Sequence, residues 1–304
     1  MMPVFPDPET ALPGECRIWQ VGGLSVTSRG AGSGPLVMCL HGFPDNAGSF
    51  RHQMPALVAA GYRVECPLLP GYEPGSQLPD GRYDLDAVSA VLLALLDQMR
   101  PGEKVHLVGH DWGALTALVM AARAPHRFAS VTSLTLPWGL SLPAVLSRAP
   151  RYLLHARYIQ LFQIPGLAEW VLERRNWQFV ADLIRRWSPG WRMPDPILAD
   201  IRRTLSQPGV KAAALAYYRA IYGTWRGAYR ARAWLHGTLR VPALMVEGTR
   251  DGCIHPSLWT LLNPDDFAAG MKHVRLPAGH FLHQEVPGHF NPVLLDWLHR
   301  HALA

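Results

Sequence analysis

An α/β fold is what this sequence predicts: a mostly parallel, doubly wound sheet with an inserted helical lid. Three observations lead there. Short apolar runs alternate with helix-like stretches through the first part of the chain. From Trp138 to Gly237 that alternation stops, and helices broken by Pro and Gly replace it, as at Trp187-Ser188-Pro189-Gly190-Trp191. Alternation resumes at Val241–Val246 and ends in a helix over Pro292–His301. Residues 1–137 and 238–304 therefore read as two parts of one core, and 138–237 as the lid between them.

Each element has its own signal. Cys16–Gln20 and Leu24–Ser28 flank Gly22-Gly23 and read as an antiparallel pair. Leu36–Leu40 is continuously apolar, as in a strand buried on both faces. A helix is expected over Ser49–Ala60, a strand over Tyr62–Pro67 and a helix over Leu85–Met99. Val105–Val108 is a second fully apolar strand, Ala114–Ala122 reads as a helix, and Ser130–Leu136 as the strand before the lid. After the lid, Val241–Val246 and Val274–Pro277 are strands.

One turn carries chemistry. Gly109-His110-Asp111-Trp112-Gly113 lies between a buried strand and a helix. A Gly-x-nucleophile-x-Gly turn in that context presents its central side chain at the top of a sheet, and the glycines admit a strained, closely packed bend. Here the centre is a carboxylate, which suits attack on a saturated carbon bearing a leaving group, with an ester as the intermediate. The plainer reading is that Asp111 caps the following helix. Three further loops follow predicted strands: His41-Gly42-Phe43-Pro44-Asp45, Glu247-Gly248-Thr249-Arg250-Asp251-Gly252, and Ala278-Gly279-His280-Phe281. Open α/β sheets place their sites at such strand ends.

The order nucleophile, acid, histidine, together with these motifs, resembles the α/β-hydrolases, and within them the epoxide hydrolase-like family. The resemblance runs from about residue 16 to the end. It rests on His41-Gly42-Phe43-Pro44, the Asp111 turn, Asp251-Gly252-Cys253-Ile254, and Gly279-His280-Phe281-Leu282-His283-Gln284-Glu285. In the lid, Tyr158–Glu169 and Tyr217-Tyr218-Arg219-Ala220 are similar to that family's two tyrosine segments.

The resemblance implies an α/β-hydrolase fold and an epoxide hydrolase. Asp111 would attack an epoxide carbon. The backbone N–H groups of Phe43 and Trp112 would form an oxyanion hole. His280 would activate water against the ester, oriented by Asp251. Glu247, at a strand end, is the weaker choice of acid, and Leu136-Pro137-Trp138-Gly139-Leu140 offers none. Tyr158 and Tyr218 would protonate the ring oxygen, since a phenol is still protonated at neutral pH. Tyr217 or Tyr222 could stand in for Tyr218, and all of these rings could simply pack the lid. Trp112, Tyr158 and Tyr218 would also line the substrate site. His283 reads as structural; a metal pair with His280 lacks an apparent third ligand.

Composition limits the alternatives. A chain of 304 residues with 49% hydrophobic and 17% charged residues buries a large core. The longest apolar stretch, Ala87–Leu96, is too short to span a bilayer, and the N-terminal Met1–Pro8 reads as a loose arm, not a signal peptide. Four separated cysteines suggest free thiols in a reducing cytoplasm. The net charge is +6, yet residues 151–240 alone carry a surplus of ten positive charges. The arginines there fall in pairs on amphipathic helices without any nucleic-acid motif, so they read as solvated faces. Six of the eleven tryptophans share that window and read as packing a lid and lining an apolar pocket, so the epoxide that the resemblance implies would be a small apolar or aromatic one, with water as co-substrate. No nicotinamide or phosphate motif occurs, and no cofactor or metal is expected.

Two rival functions stay open. A dehalogenase would use the same nucleophile, although relatives of that kind usually carry Asn at the position of Phe43 or Arg at that of Trp112. A non-catalytic ligand-binding protein could keep the same fold. Oligomeric state and the particular epoxide are not legible.

Overall fold

The computed structural model describes residues 12–139, 156–222 and 237–302, with Ser147 and Tyr152 as isolated positions. Of Ile221 and Tyr222 only the backbone is described, so the Tyr222 alternative lies outside the described side chains. The N-terminal arm likewise lies outside the described residues.

Eight strands form one sheet: β1 (Glu15–Val21), β2 (Leu24–Ala31), β3 (Leu36–Leu40), β4 (Arg63–Pro67), β5 (Val105–His110), β6 (Phe128–Leu134), β7 (Ala243–Gly248) and β8 (Met271–Leu276). Their spatial order is β1-β2-β4-β3-β5-β6-β7-β8. The β1–β2 and β2–β4 pairs are antiparallel, and every later pair is parallel. This is the α/β-hydrolase fold, with helices covering both faces.

The central strands alternate between two cores. In β3, Leu36, Met38 and Leu40 join the cluster that holds α2 (Leu85–Met99) and α3 (Trp112–Arg123), whereas Val37 and Cys39 join the one that holds α1 (Gln53–Ala59). Period-two alternation with both faces apolar explains why the run looks continuous in sequence. α2 starts where the Asp84 side chain accepts from Ala87 N at 2.9 Å, a side-chain cap on an otherwise orphaned N–H.

Between β6 and β7 the longer elements among the described residues are helices: α4 (Arg157–Phe162), α5 (Leu167–Trp187), α6 (Asp195–Leu205) and α7 (Val210–Tyr222). α5 is two helices joined at a break, where Arg175, Asn176 and Trp177 all take positive φ. After β8 come the short α8 (Leu282–Glu285) and α9 (Pro287–Arg300). Among the described residues no helix is long and apolar enough to cross a membrane.

Several boundaries differ from the sequence reading, among them β8, which starts at Met271 and not Val274, and β7, which runs over Ala243–Gly248 and not Val241–Val246; three others have a local cause. The helix expected over Ser49–Ala60 is split into a 3-10 turn at Ala47–Phe50 and α1; the Asn46 side chain caps the turn by accepting from Gly48 N at 2.8 Å. The strand expected over Ser130–Leu136 ends at Leu134, because Thr135 takes φ 71° and cannot continue it. The last helix begins at Pro287 and carries Pro292 inside it. One N–H is lost there, but Phe290, Leu294, Trp297 and Leu298 dock the helix on the core.

Candidate active site

Asp111 stands at the end of β5 with φ 52° and ψ −119°, a strained conformation for a non-glycine residue. It occupies the N-cap position of α3, yet its side chain makes no capping bond. The carboxylate is thus turned away from the helix it precedes, and the simple capping reading fails. Close packing holds the turn. A Cβ on Gly113 would lie 2.0 Å from Leu40 O, and one on Gly42 would lie 2.4 Å from the Asp111 Cβ. Only glycine lets the β3 loop, the turn and the start of α3 approach this closely.

The two oxygens of Asp111 face different partners. Oδ1 accepts from the Phe43 amide at 2.9 Å. Oδ2 lies 3.6 Å from His280 Nε2. The other expected oxyanion donor, the Trp112 amide, makes no hydrogen bond to this carboxylate. His41 braces the donor loop. Its Nε2 accepts from Leu69 N at 3.0 Å and its Nδ1 faces Gly42 O at 3.1 Å. Burial lowers the His41 pKa to about 4, so the ring is neutral and can accept through Nε2.

Behind His280, Nδ1 meets Asp251 Oδ2 at 2.9 Å. Asp251 also fits the turn reading, since its Oδ1 accepts from Cys253 N at 2.7 Å and Ile254 N at 2.9 Å. One carboxylate therefore shapes its loop and holds the imidazole. Burial alone would lower the His280 pKa, but Asp251 and Asp111 outweigh it and raise it to about 10. For Asp111 burial likewise opposes charge; His280 and the Phe43 amide reverse this and hold the carboxyl below its ordinary value. Both shifts favour a charged imidazolium beside the Asp111 carboxylate. Glu247, the alternative acid, pairs instead with Arg275 and His273 on β8.

The tyrosines project from the helical insertion. Tyr158 on α4 and Tyr218 on α7 lie with ring centroids 5.9 Å apart, and both are buried. Tyr218 packs edge-on against Trp112 at 5.0 Å and Phe43 at 5.4 Å. Its hydroxyl makes no close hydrogen bond, and the Trp112 indole is the polar side chain that faces it. The Tyr158 hydroxyl lies 3.4 Å from Cys253 Sγ. Burial pushes both phenols well above their ordinary pKa, so both keep their protons. Tyr217 faces elsewhere, and its hydroxyl donates to Pro70 O at 2.7 Å. Helical geometry separates the two neighbours, because successive residues differ by about 100°.

Sequence reasoning missed how the insertion is fastened. The carbonyl of Trp187, the last residue of α5, accepts from both Gly252 N and His280 N at 3.0 Å. Ser188 Oγ donates to Glu285 Oε1 at 2.6 Å and accepts from Phe281 N at 3.2 Å. Glu285 Oε2 in turn accepts from Gly279 N at 2.9 Å. One helix end thus clasps both the acid loop and the histidine loop. The Pro-Gly break after Ser188 was visible in sequence, but it showed only where a helix stops. Cys253 was also missed, because a lone thiol two residues beyond Asp251 carries no pattern. The His283 Nε2 lies 2.8 Å from Ser49 Oγ.

Such a constellation can deliver a carboxylate to an electrophilic carbon, hold the resulting ester carbonyl on Phe43 N–H, and present an imidazole to water. The rings of Phe43, Tyr158, Phe179 and Tyr218 around Phe162 make the roof apolar.

The α/β hydrolase fold family matches residues 35–287. The chain is 31% identical to Epoxide hydrolase A of Mycobacterium tuberculosis, over 90% of this chain and 94% of that protein. It is 28% identical to the crystal structure of Epoxide Hydrolase A from Mycobacterium thermoresistibile, with TM-score 0.75 over 94% of this chain and 98% of that one. It is 26% identical to an epoxide hydrolase from an endophytic Streptomyces, with TM-score 0.77 over 95% and 97% of the two chains.

Proposed function

The chain belongs to the α/β-hydrolase family, among its epoxide hydrolase-like members, and from that premise we propose that it opens epoxides to vicinal diols through an ester on Asp111. The observation that carries the reading is the divided use of the Asp111 carboxylate. One oxygen is held by Phe43 N–H and the other faces His280, with Asp251 behind the ring.

In the first step Asp111 Oδ2 attacks an epoxide carbon and the carbon–oxygen bond of the ring breaks. The departing oxygen takes a proton from Tyr158 or Tyr218, and Asp111 becomes a neutral ester. That change acts on His280. The imidazolium loses one of the two carboxylates that held its proton, so its pKa falls and the proton can leave. The neutral Nε2 then takes a proton from water, whose oxygen attacks Cγ of the ester. Negative charge collects on Oδ1, beside the Phe43 amide. Collapse breaks the Cγ–Oδ2 bond; the proton left on the incoming water oxygen goes to Oδ2 and completes the diol, and the proton released earlier by the imidazolium returns to the tyrosinate. Epoxide and water give diol, with every proton accounted for. Within this proposal residues 138–237 act as the lid over a core made of 1–137 and 238–304, and the aromatic roof selects a small apolar or aryl epoxide.

A single turnover of styrene oxide in heavy-oxygen water tests the covalent route. The first diol should carry unlabelled oxygen drawn from Asp111. Solvent label in that first diol would mean direct attack by water. Halide release from a haloalkane without epoxide opening would favour the dehalogenase, and no turnover of either would favour a binding protein.

A further inference from the structure

Asp111, His280 and Cys253 bring three different donors together: a carboxylate oxygen, an imidazole nitrogen and a thiol sulfur, all within 4.8 Å of one another. This set differs from the His280–His283 pair weighed from sequence: His283 is not among the grouped donors, and its Nε2 bonds Ser49 Oγ. The geometry points to a reversible inhibitory site for a zinc-class divalent cation, seated on the nucleophile and the base.

Preorganisation supports it. His280 Nε2 is buried without a hydrogen-bond partner and faces Asp111 Oδ2 at 3.6 Å. In a tetrahedral zinc site with metal–nitrogen and metal–oxygen bonds of about 2.0–2.2 Å, neighbouring ligand atoms sit about 3.4 Å apart. Little movement separates the pair from that spacing. A carboxylate behind a metal-bound imidazole is the arrangement that fixes its free nitrogen toward the metal, and Asp251 supplies it. The same Asp251 holds the Cys253 backbone N–H, so one residue positions two ligands. Asp111 is fixed through Oδ1 by Phe43, which leaves Oδ2 available. When the metal binds, the thiol and the imidazolium each release a proton to water. Carboxylate and thiolate then neutralise the divalent charge. Sulfur and nitrogen donors select zinc, cobalt or cadmium over magnesium or calcium. The inhibitory consequence rests on the proposed epoxide chemistry, whereas the binding does not.

The test is a titration of the intact chain with Co(II), followed by absorption, and with Zn(II), followed by calorimetry. One equivalent should produce a near-ultraviolet thiolate-to-cobalt band and strong visible bands of tetrahedral cobalt. Cys253→Ser should abolish the near-ultraviolet band and weaken Zn(II) at least about ten-fold, and His280→Gln should also weaken it. Melting curves of each variant establish that it is folded. Micromolar Zn(II) should stop epoxide opening, and a chelator should restore it. A near-ultraviolet band or Zn(II) affinity unchanged in folded Cys253→Ser would overturn the site. The absorption result is decisive even if the chain opens no epoxide, so failure of the site and failure of the functional reading remain distinguishable.

Discussion

Tyr217 and Tyr218 are neighbours in sequence, and replacing each by Phe should give opposite phenotypes. Tyr217 donates to Pro70 O at 2.7 Å, and the tyrosine is fully buried. Tyr217→Phe leaves that carbonyl unsatisfied, at about 1–3 kcal/mol. For a chain of this size that lowers the melting temperature by a few degrees, roughly 2–4 °C per kcal/mol or somewhat less. Epoxide opening should be unchanged, since the hydroxyl faces Pro70. Tyr218 reverses the pattern. Its hydroxyl has no strong hydrogen bond in the resting protein, only the nearby Trp112 indole, so Tyr218→Phe should lower stability little. In the opening step the same hydroxyl meets a developing alkoxide. A hydrogen bond to a charged group contributes about 1.5–3 kcal/mol, or roughly ten- to a hundred-and-fifty-fold in rate. Formation of the ester, followed by intact-protein mass spectrometry in single turnover, should slow by that factor, and more when Tyr158 is also Phe. Tyr218→Phe at the parent rate, with the double variant also unchanged, would reduce these rings to packing.

Other expectations concern the two half-reactions, the charge state and the turn. His280→Gln should still form the ester and then stall, accumulating an adduct of one substrate mass, with a loss of about a hundred- to ten-thousand-fold in turnover; normal turnover would remove His280 from the mechanism. Asp251→Asn should slow the same step by misorienting the ring, and adduct hydrolysis at the parent rate would exclude that role. Because the His280 pKa is raised from 6.5 to about 10, its protonation stabilises the folded state fully below pH 6.5. That contribution declines as pH rises and is lost through about 10. The stability difference between the parent and His280→Gln in denaturant titrations should therefore shrink over that window; a difference that grows would contradict the ion pair. Gly113→Ala, whose Cβ would meet Leu40 O at 2.0 Å, should cost about 1–3 kcal/mol or more, which chemical denaturation would detect.

Much of the fold was legible because its signals are local. β3 and β5 are apolar runs that only a doubly covered strand tolerates, and the interruption after β6 shows as a change of period. The turn at Asp111 was legible because two glycines are required there by contacts that any sequence in this fold would have to allow. What escaped notice depends on distant partners. The break in the expected helix near Arg51 reflects an Asn46 cap, and the end of β6 reflects one left-handed residue at Thr135. Neither Asn nor Thr announces that role by itself. Tyr217 and Tyr218 could not be told apart without knowing which face of α7 turns toward Pro70.

The fastening of the insertion to the two loops gives the site its coherence. Asp251 and His280 lie on separate loops, after β7 and β8, and a 2.9 Å bond between them requires that both loops be fixed. The Trp187 carbonyl fixes both at once, through Gly252 N and His280 N. Tyr158 belongs to the same insertion and stacks near Trp187, with centroids 5.1 Å apart, while Trp187 packs against His280 at 5.3 Å. The proposed proton donor, base and acid are thereby referred to one helix end. A lid that swung freely would disorder the His280–Asp251 pair each time it opened. The clasp at Trp187 and Ser188 argues instead that this end of α5 stays with the core, and that any opening for substrate occurs elsewhere in the insertion. Ser188→Ala removes the hydroxyl that ties this helix end to Glu285 and to Phe281 N, which also bond each other directly at 3.1 Å. It should slow ester hydrolysis more than ester formation, because only the former needs the His280–Asp251 alignment. Equal slowing of both steps in single-turnover kinetics would show that the clasp serves the lid as a whole and not the base.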